Sequence, residues 1–153
     1  MIKRLNIFAR GFTLIELLVV ISIIAILVGF GTARYITAEK GARDTARKSD
    51  LNQYRIALEN YASSNNSLYP TLGSTCGEVS VLCETGGFSG NYLSGVCLDD
   101  PLSTSHYRYC ASTTSYVLSA QLEKPPTTTY FVVCSNGRTG TRTSVPTSAT
   151  CPF

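Results

Sequence analysis

Glu16 is the only charged residue among the nineteen from 12 to 30, a run otherwise dominated by Leu, Ile and Val. A carboxylate inside hydrocarbon costs roughly 2.5–3.5 kcal/mol, so a charge at this place calls for a partner of opposite sign. A second set of reactive residues lies far downstream. All six cysteines, Cys76, Cys83, Cys97, Cys110, Cys134 and Cys151, follow residue 75. An even set confined to a small Gly/Ser/Thr-rich region reads as up to three disulfides formed in an oxidising compartment. Six cysteines allow 15 pairings. Pairing in sequence order, Cys76–Cys83, Cys97–Cys110 and Cys134–Cys151, is the expectation, because each pair then brackets a short loop or hairpin.

The remaining candidates for chemistry do not converge. His106 is the single histidine and no Cys-x-x-Cys spacing exists, so a Cys/His zinc site has no ligand set. Gly87-Phe88-Ser89-Gly90 begins like a nucleophile elbow but fails the Gly-x-Ser-x-Gly pattern at Asn91. Asp99-Asp100 offers two carboxylates to a cation, yet Pro101 follows directly, which favours a turn. An enzyme needs a nucleophile, base and stabiliser in mutual reach. None is visible here, and neither a cofactor nor a resident metal is expected.

The elements that must carry these residues follow from periodicity. Residues 12–30 approach the ~20 residues that cross a ~30 Å hydrocarbon core. The helix then continues, for no proline occurs before Pro70. Leu51, Tyr54, Leu58 and Tyr61 recur at spacings of 3, 4 and 3, one apolar stripe on an amphipathic helix. Glu39/Arg43 and Asp44/Lys48 stand at i,i+4 in the favourable order. Ser63 to Ser67 and Pro70 end the helix. From 12 to 64 it spans roughly 80 Å at ~1.5 Å per residue.

Residues 65–105 read as loop with one short helix or strand. Three β-rich runs at 107–110, 115–122 and 128–134 form an antiparallel meander within 106–134. The apolar stripe of the helix is the available cover for one sheet face. The tail 135–153 is Thr/Ser/Gly-rich and is tethered through Cys151. The expected class is α+β: a long helix packed on a small sheet of three to four antiparallel strands, with a disulfide-stapled head at 65–153.

Charge divides unevenly. Residues 1–11 hold Lys3, Arg4 and Arg10; without them ten Lys/Arg face ten Asp/Glu, and the formal charge of +3 falls to zero. Arg34, Lys40, Arg43, Arg47, Lys48 and Arg55 crowd one helical segment. That stretch offers contacts to lipid headgroups or DNA, or else a solvated helix face laced with ion pairs. Basic residues on both sides of the apolar run leave its orientation open by charge. Oxidised cysteines place the C-terminal part outside and the N-terminal leader in the cytoplasm. An alternative is a secretory signal cleaved after Ala33, following the small residues Gly31-Thr32-Ala33; the length of the run and the charge of Glu16 argue against it.

A short basic leader ending in Gly11, then Phe12-Thr13-Leu14-Ile15-Glu16, then an apolar run, resembles the class III signal of type IV pilins and type II secretion pseudopilins. The likeness is close over 3–30, fades through the following helix and is only general beyond residue 65. It implies that a prepilin peptidase removes 1–11 by cutting between Gly11 and Phe12, and methylates the new Phe12 amine. It further implies that Glu16 neutralises a Phe12 amine in a filament of identical subunits. The implied partners are the chain itself, other pilins, an inner-membrane assembly platform and, before assembly, membrane lipid. The alternative roles within this resemblance are a minor tip adhesin and a DNA-uptake module. Two departures stand out. Many pilins carry a proline near Gly29 and Gly31, where this helix has none, although the glycines themselves suit a segment that unwinds on assembly. Major pseudopilins hold calcium in C-terminal loops, but nothing after Glu123 is acidic here.

Overall fold

The computed structural model describes residues 11–73, 75–84 and 87–153, with side chains for all of these except 30–33. Residues 1–10, nearly all of the expected leader, lie outside the described residues. The chain divides into two compact units, Met1–Ala38 and Glu39–Phe153. The division falls inside the first helix, α1 (Leu14–Ser64), so the second part of that helix belongs with the head.

In the first unit α1 carries its Leu, Ile and Val side chains outward, from Leu14 at 82% to Val20 at 46% exposed. The backbone stays helical through Gly29 and Gly31.

In the second unit α1 lies on a five-stranded antiparallel meander in the order β1-β2-β3-β4-β5. The strands are β1 (Cys76–Glu78), β2 (Arg108–Ala111), β3 (Tyr116–Leu122), β4 (Thr129–Cys134) and β5 (Thr139–Arg142), and two short helices, α2 (Val79–Glu84) and α3 (Phe88–Tyr92), follow β1. The sheet therefore has five strands where the sequence pattern predicts three to four. The reason is chemical. Cys-Gly-Glu and Thr-Gly-Thr-Arg carry no apolar alternation, and their places come from pairing with a neighbour: Gly77 opposite Tyr109, and Gly140 opposite Val132.

Alternation along the three inner strands sorts side chains onto two faces. Tyr109, Ala111, Tyr116, Leu118, Ala120 and Val133 meet Leu51, Tyr54, Ala57 and Leu58 of α1 in the main core. Leu51, Tyr54 and Leu58 are fully buried, while Tyr61 packs on the core partly exposed. Val79, Leu82 and Phe88 close the same core from α2 and α3. Edge-to-face ring pairs, Tyr54–Tyr107 at 6.3 Å and Tyr69–Tyr116 at 4.7 Å, add directionality to this packing. The opposite face holds a smaller cluster of Cys110, Val117, Val132 and Cys134, covered by Cys151 and Phe153 of the tail.

α1 stops by a Schellman-type turn. Asn66 takes a left-handed φ of 55°, and the Ser67 N–H bonds back to the Ala62 carbonyl at 2.8 Å.

The disulfides are Cys76–Cys110, Cys83–Cys97 and Cys134–Cys151. The expected pairs Cys76–Cys83 and Cys97–Cys110 are thus replaced. The two faces of the sheet explain the exchange. Cys76 and Cys110 pack with the tail-side cluster, whereas Cys83 and Cys97 pack with the helix-side core, so sequence-order pairing would have to pass through the sheet. Cys76 and Cys110 are also direct register partners across β1 and β2, with Cα atoms 4.0 Å apart.

Candidate functional site

Two constellations of polar side chains stand out, one in each unit. In the first unit, Thr13 and Glu16 form a reciprocal cap at the start of α1. The Thr13 hydroxyl accepts from the Glu16 N–H at 3.3 Å, and the Glu16 carboxylate accepts from the Thr13 N–H at 2.9 Å and its hydroxyl at 2.7 Å. That is the Ser/Thr-x-x-Glu capping box, which satisfies orphan donors at a helix start and sets a negative charge where the helix dipole favours it. Phe12 immediately precedes the cap and is 80% exposed, and Gly11 lies outside the helix. The bond that follows Gly11 is therefore in exposed, non-helical chain one residue ahead of the cap. Both Thr13 donors go to the same Glu16 oxygen.

In the second unit, a buried charge cluster clamps α1 to the head. Arg47 is fully buried and meets three carboxylates: Asp100 in a two-pronged contact at 2.7 and 2.8 Å, Asp44 at 2.9 Å and Glu123 at 2.6 Å. Arg43 makes a second two-pronged contact to Glu123, at 2.9 and 2.7 Å, and pairs with Glu39 at 2.6 Å. Asp44 accepts the backbone N–H groups of Glu123 and Lys124, at 2.8 and 2.9 Å. Planar guanidinium forks suit such paired contacts, and complete hydrogen bonding is what makes a buried charge tolerable. The Arg43 and Arg47 contacts hold the Glu123 carboxyl down at about 2, from an ordinary value of 4.5, with the Arg43 hydrogen bond the largest cause.

These contacts revise two expectations. Asp44 serves Arg47 and the 123–124 backbone rather than Lys48, whose ammonium sits 5.5 Å from the centre of the Phe131 ring. Asp100 is engaged by Arg47 and by the Leu102 N–H, so a guanidinium stands where the Asp99-Asp100 pair offers carboxylates to a cation. Among the described residues, no three His, Cys, Asp or Glu side chains gather as a metal site. Neither Arg43 nor Arg47 is free to meet phosphate, which thins the basic stretch as a nucleic-acid surface. Ser89 sits on α3 and His106 is an exposed residue before β2; no hydrogen bond joins them among the described residues.

Helix acids also satisfy the core tyrosines. Tyr107 donates to Asp50 at 2.6 Å and Tyr116 to Glu59 at 2.9 Å, while Tyr54 donates to the Leu98 carbonyl at 2.8 Å. Burial pushes the Tyr54 hydroxyl up to about 12 and raises Tyr107 and Tyr116 further, with the neighbouring carboxylates adding to the shift.

Residues 8–32 match the family model described as the prokaryotic N-terminal methylation motif. Over 59 residues the chain is 48% identical to the type IV wide pilus major component PilA4 of Thermus thermophilus. That stretch is 39% of this chain and 45% of the relative, so the likeness spans under half the length of either. No solved structure matches the chain significantly. The chain is type IV pilin-like in sequence, with a methylation motif at its start.

Proposed function

We propose that this protein is the structural subunit of a type IV pilus-like filament. A prepilin peptidase removes 1–11 at the bond between Gly11 and Phe12 and methylates the Phe12 amine. The mature chain is held in the inner membrane by a single pass of residues 12–30, with its head outside. It then polymerises through that helix, with an assembly platform and other pilins as partners. The observation that carries this reading is the apolar surface of α1 in residues 14–28, exposed throughout and opened by Glu16 inside the 8–32 motif. α1 is long and apolar enough to cross a bilayer. The same surface suits a bundle of identical helices once the subunit leaves lipid. Repetition of one unclosed contact yields a filament. Gly29 and Gly31 provide the place where the helix unwinds as it leaves the membrane.

Glu16 sets register in this scheme. Its carboxylate, already held by Thr13, meets the Phe12 amine of a neighbouring subunit in a dry bundle. The likeness to a pilus component favours a pilus over a secretion pseudopilus, and the neutralised Arg43 and Arg47 disfavour a DNA-uptake role. A Glu16→Val variant is expected to reach the membrane at normal level, while filament recovered by shearing falls about tenfold or more. One uncompensated buried charge costs on the order of 3–5 kcal/mol, ample for that loss. Normal filament yield would sink the register role.

A further inference from the structure

The sheet face turned away from α1 is apolar at one end and polar at the other. Along β3 the outward positions read Val117, Ser119 and Gln121; their register partners on β2 and β4 are Cys110 and Cys134, Arg108 and Val132, and Tyr130. The tail covers the Val117 end. The Gln121 end opens into a cleft of about 290 Å³, to which His106, Glu78 and Val145 also contribute.

Arg108 is the anomaly in this cleft. Its Nε is buried with no hydrogen-bond partner. Glu78 lies directly opposite across β1 and β2, yet the two form no ion pair within 4.0 Å; the Glu78 carboxylate takes the Ser80 hydroxyl at 3.4 Å instead. A guanidinium donor left unmade is expensive, because the group has lost water without gaining an acceptor. Arg47, which is fully buried, shows how this fold treats a guanidinium whose role is purely structural, with carboxylates on its Nε and both of its terminal nitrogens. Arg108 departs from that pattern, and it does so beside a cavity.

We infer that this cleft binds a small polyhydroxy carboxylate, a monoanion of the size of one hexuronic acid, with its carboxylate on Arg108. The volume lies just under the ~300–1,000 Å³ range of ligand sites, enough for one sugar-sized molecule. The guanidinium supplies a fork that matches a carboxylate. Glu78, Gln121, Ser119 and the Tyr130 hydroxyl supply acceptors and donors for hydroxyl groups. Charge selects against phosphate. The cleft offers one guanidinium, which one carboxylate matches; the second charge of a phosphate dianion has no cation to meet and faces Glu78. This inference stands independently of filament assembly.

The test uses the full chain in detergent micelles, titrated with glucuronate, glucose and inorganic phosphate. Nitrogen–proton correlation of the arginine Nε–H groups reports on Arg108 directly, with Arg43 and Arg47 as internal references. Glucuronate is expected to shift the Arg108 signal saturably, with glucose at least about tenfold weaker for want of the charge-assisted contact, and phosphate at least about tenfold weaker for its second charge beside Glu78. Arg108→Gln weakens glucuronate by a similar factor. Gln121→Glu changes an exposed position, leaves the fold intact and places a repelling charge in the cleft, with the same loss expected. No saturable shift up to about 0.1 M, well beyond millimolar affinity, would overturn the inference. So would equal binding of glucose or phosphate, or a Gln121→Glu chain that binds as the parent does.

Discussion

Along residues 14–28 of α1 the Leu, Ile and Val side chains are 46–82% exposed, whereas along 44–58 an aspartate and an arginine are buried beside Leu51 and Tyr54. The two stretches share one helical backbone and reverse the usual placement of apolar and charged groups. The difference teaches where each stretch finds its partners. The second is complete within the chain: Arg47 and Asp44 have every charge answered by Asp100, Glu123 and backbone N–H groups. The first has a satisfied helix start in Thr13 and Glu16 and an apolar flank that stays exposed among the described residues. Such a flank belongs in lipid or against other helices.

If the clamp is what makes the second stretch self-sufficient, breaking it should be costly. Arg47→Met leaves Asp44, Asp100 and Glu123 without their shared cation, and head stability is expected to fall by about 3–5 kcal/mol in denaturant melts. A loss below about 1 kcal/mol, the scale of an exposed ion pair, would mean that apolar packing alone holds the helix to the sheet. Replacing Cys83 and Cys97 together by serine frees the unfolded chain from a cross-link that spans 14 residues, and a loss of about 2–4 kcal/mol is expected. Peptide mapping of the oxidised parent should recover the Cys76–Cys110 and Cys83–Cys97 pairs; recovery of Cys76–Cys83 would refute the two-face account.

The smallest effect concerns acid. The Glu123 carboxyl is depressed in the fold, so its contribution is fully present above its ordinary 4.5 and is lost as pH falls toward about 2. Glu123→Gln should therefore melt below the parent at about pH 6, and the gap should close by about pH 2. A gap that persists at that acid limit would separate the role of Glu123 from its charge.

Legibility in the sequence follows periodicity. The stripe of Leu51, Tyr54, Leu58 and Tyr61 is readable because apolar residues at helical spacing most often mark a buried helix face. Arg47 and Asp44 continue the same stripe backward, at spacings of 4 and 3, yet their charge disguises their burial. A charge in phase with an apolar stripe is the signal that marks a clamp. Its partner Asp100 lies 53 residues further along the sequence and Glu123 further still, and only the folded chain brings them together. The three central strands are readable by alternation. β1 and β5 are not, since they owe their places to neighbours, and the cysteine pairing is hidden for the same reason. Arg108 reads as one polar residue in an alternating strand; nothing in its spacing distinguishes a filled position from an open one.

The processing claim is tested most directly by mass spectrometry of the mature chain from the producing cell. The account predicts a chain that starts at Phe12, lacks residues 1–11 and carries one methyl group on its α-amine. A chain that starts at Arg34, or that retains Met1, would contradict it.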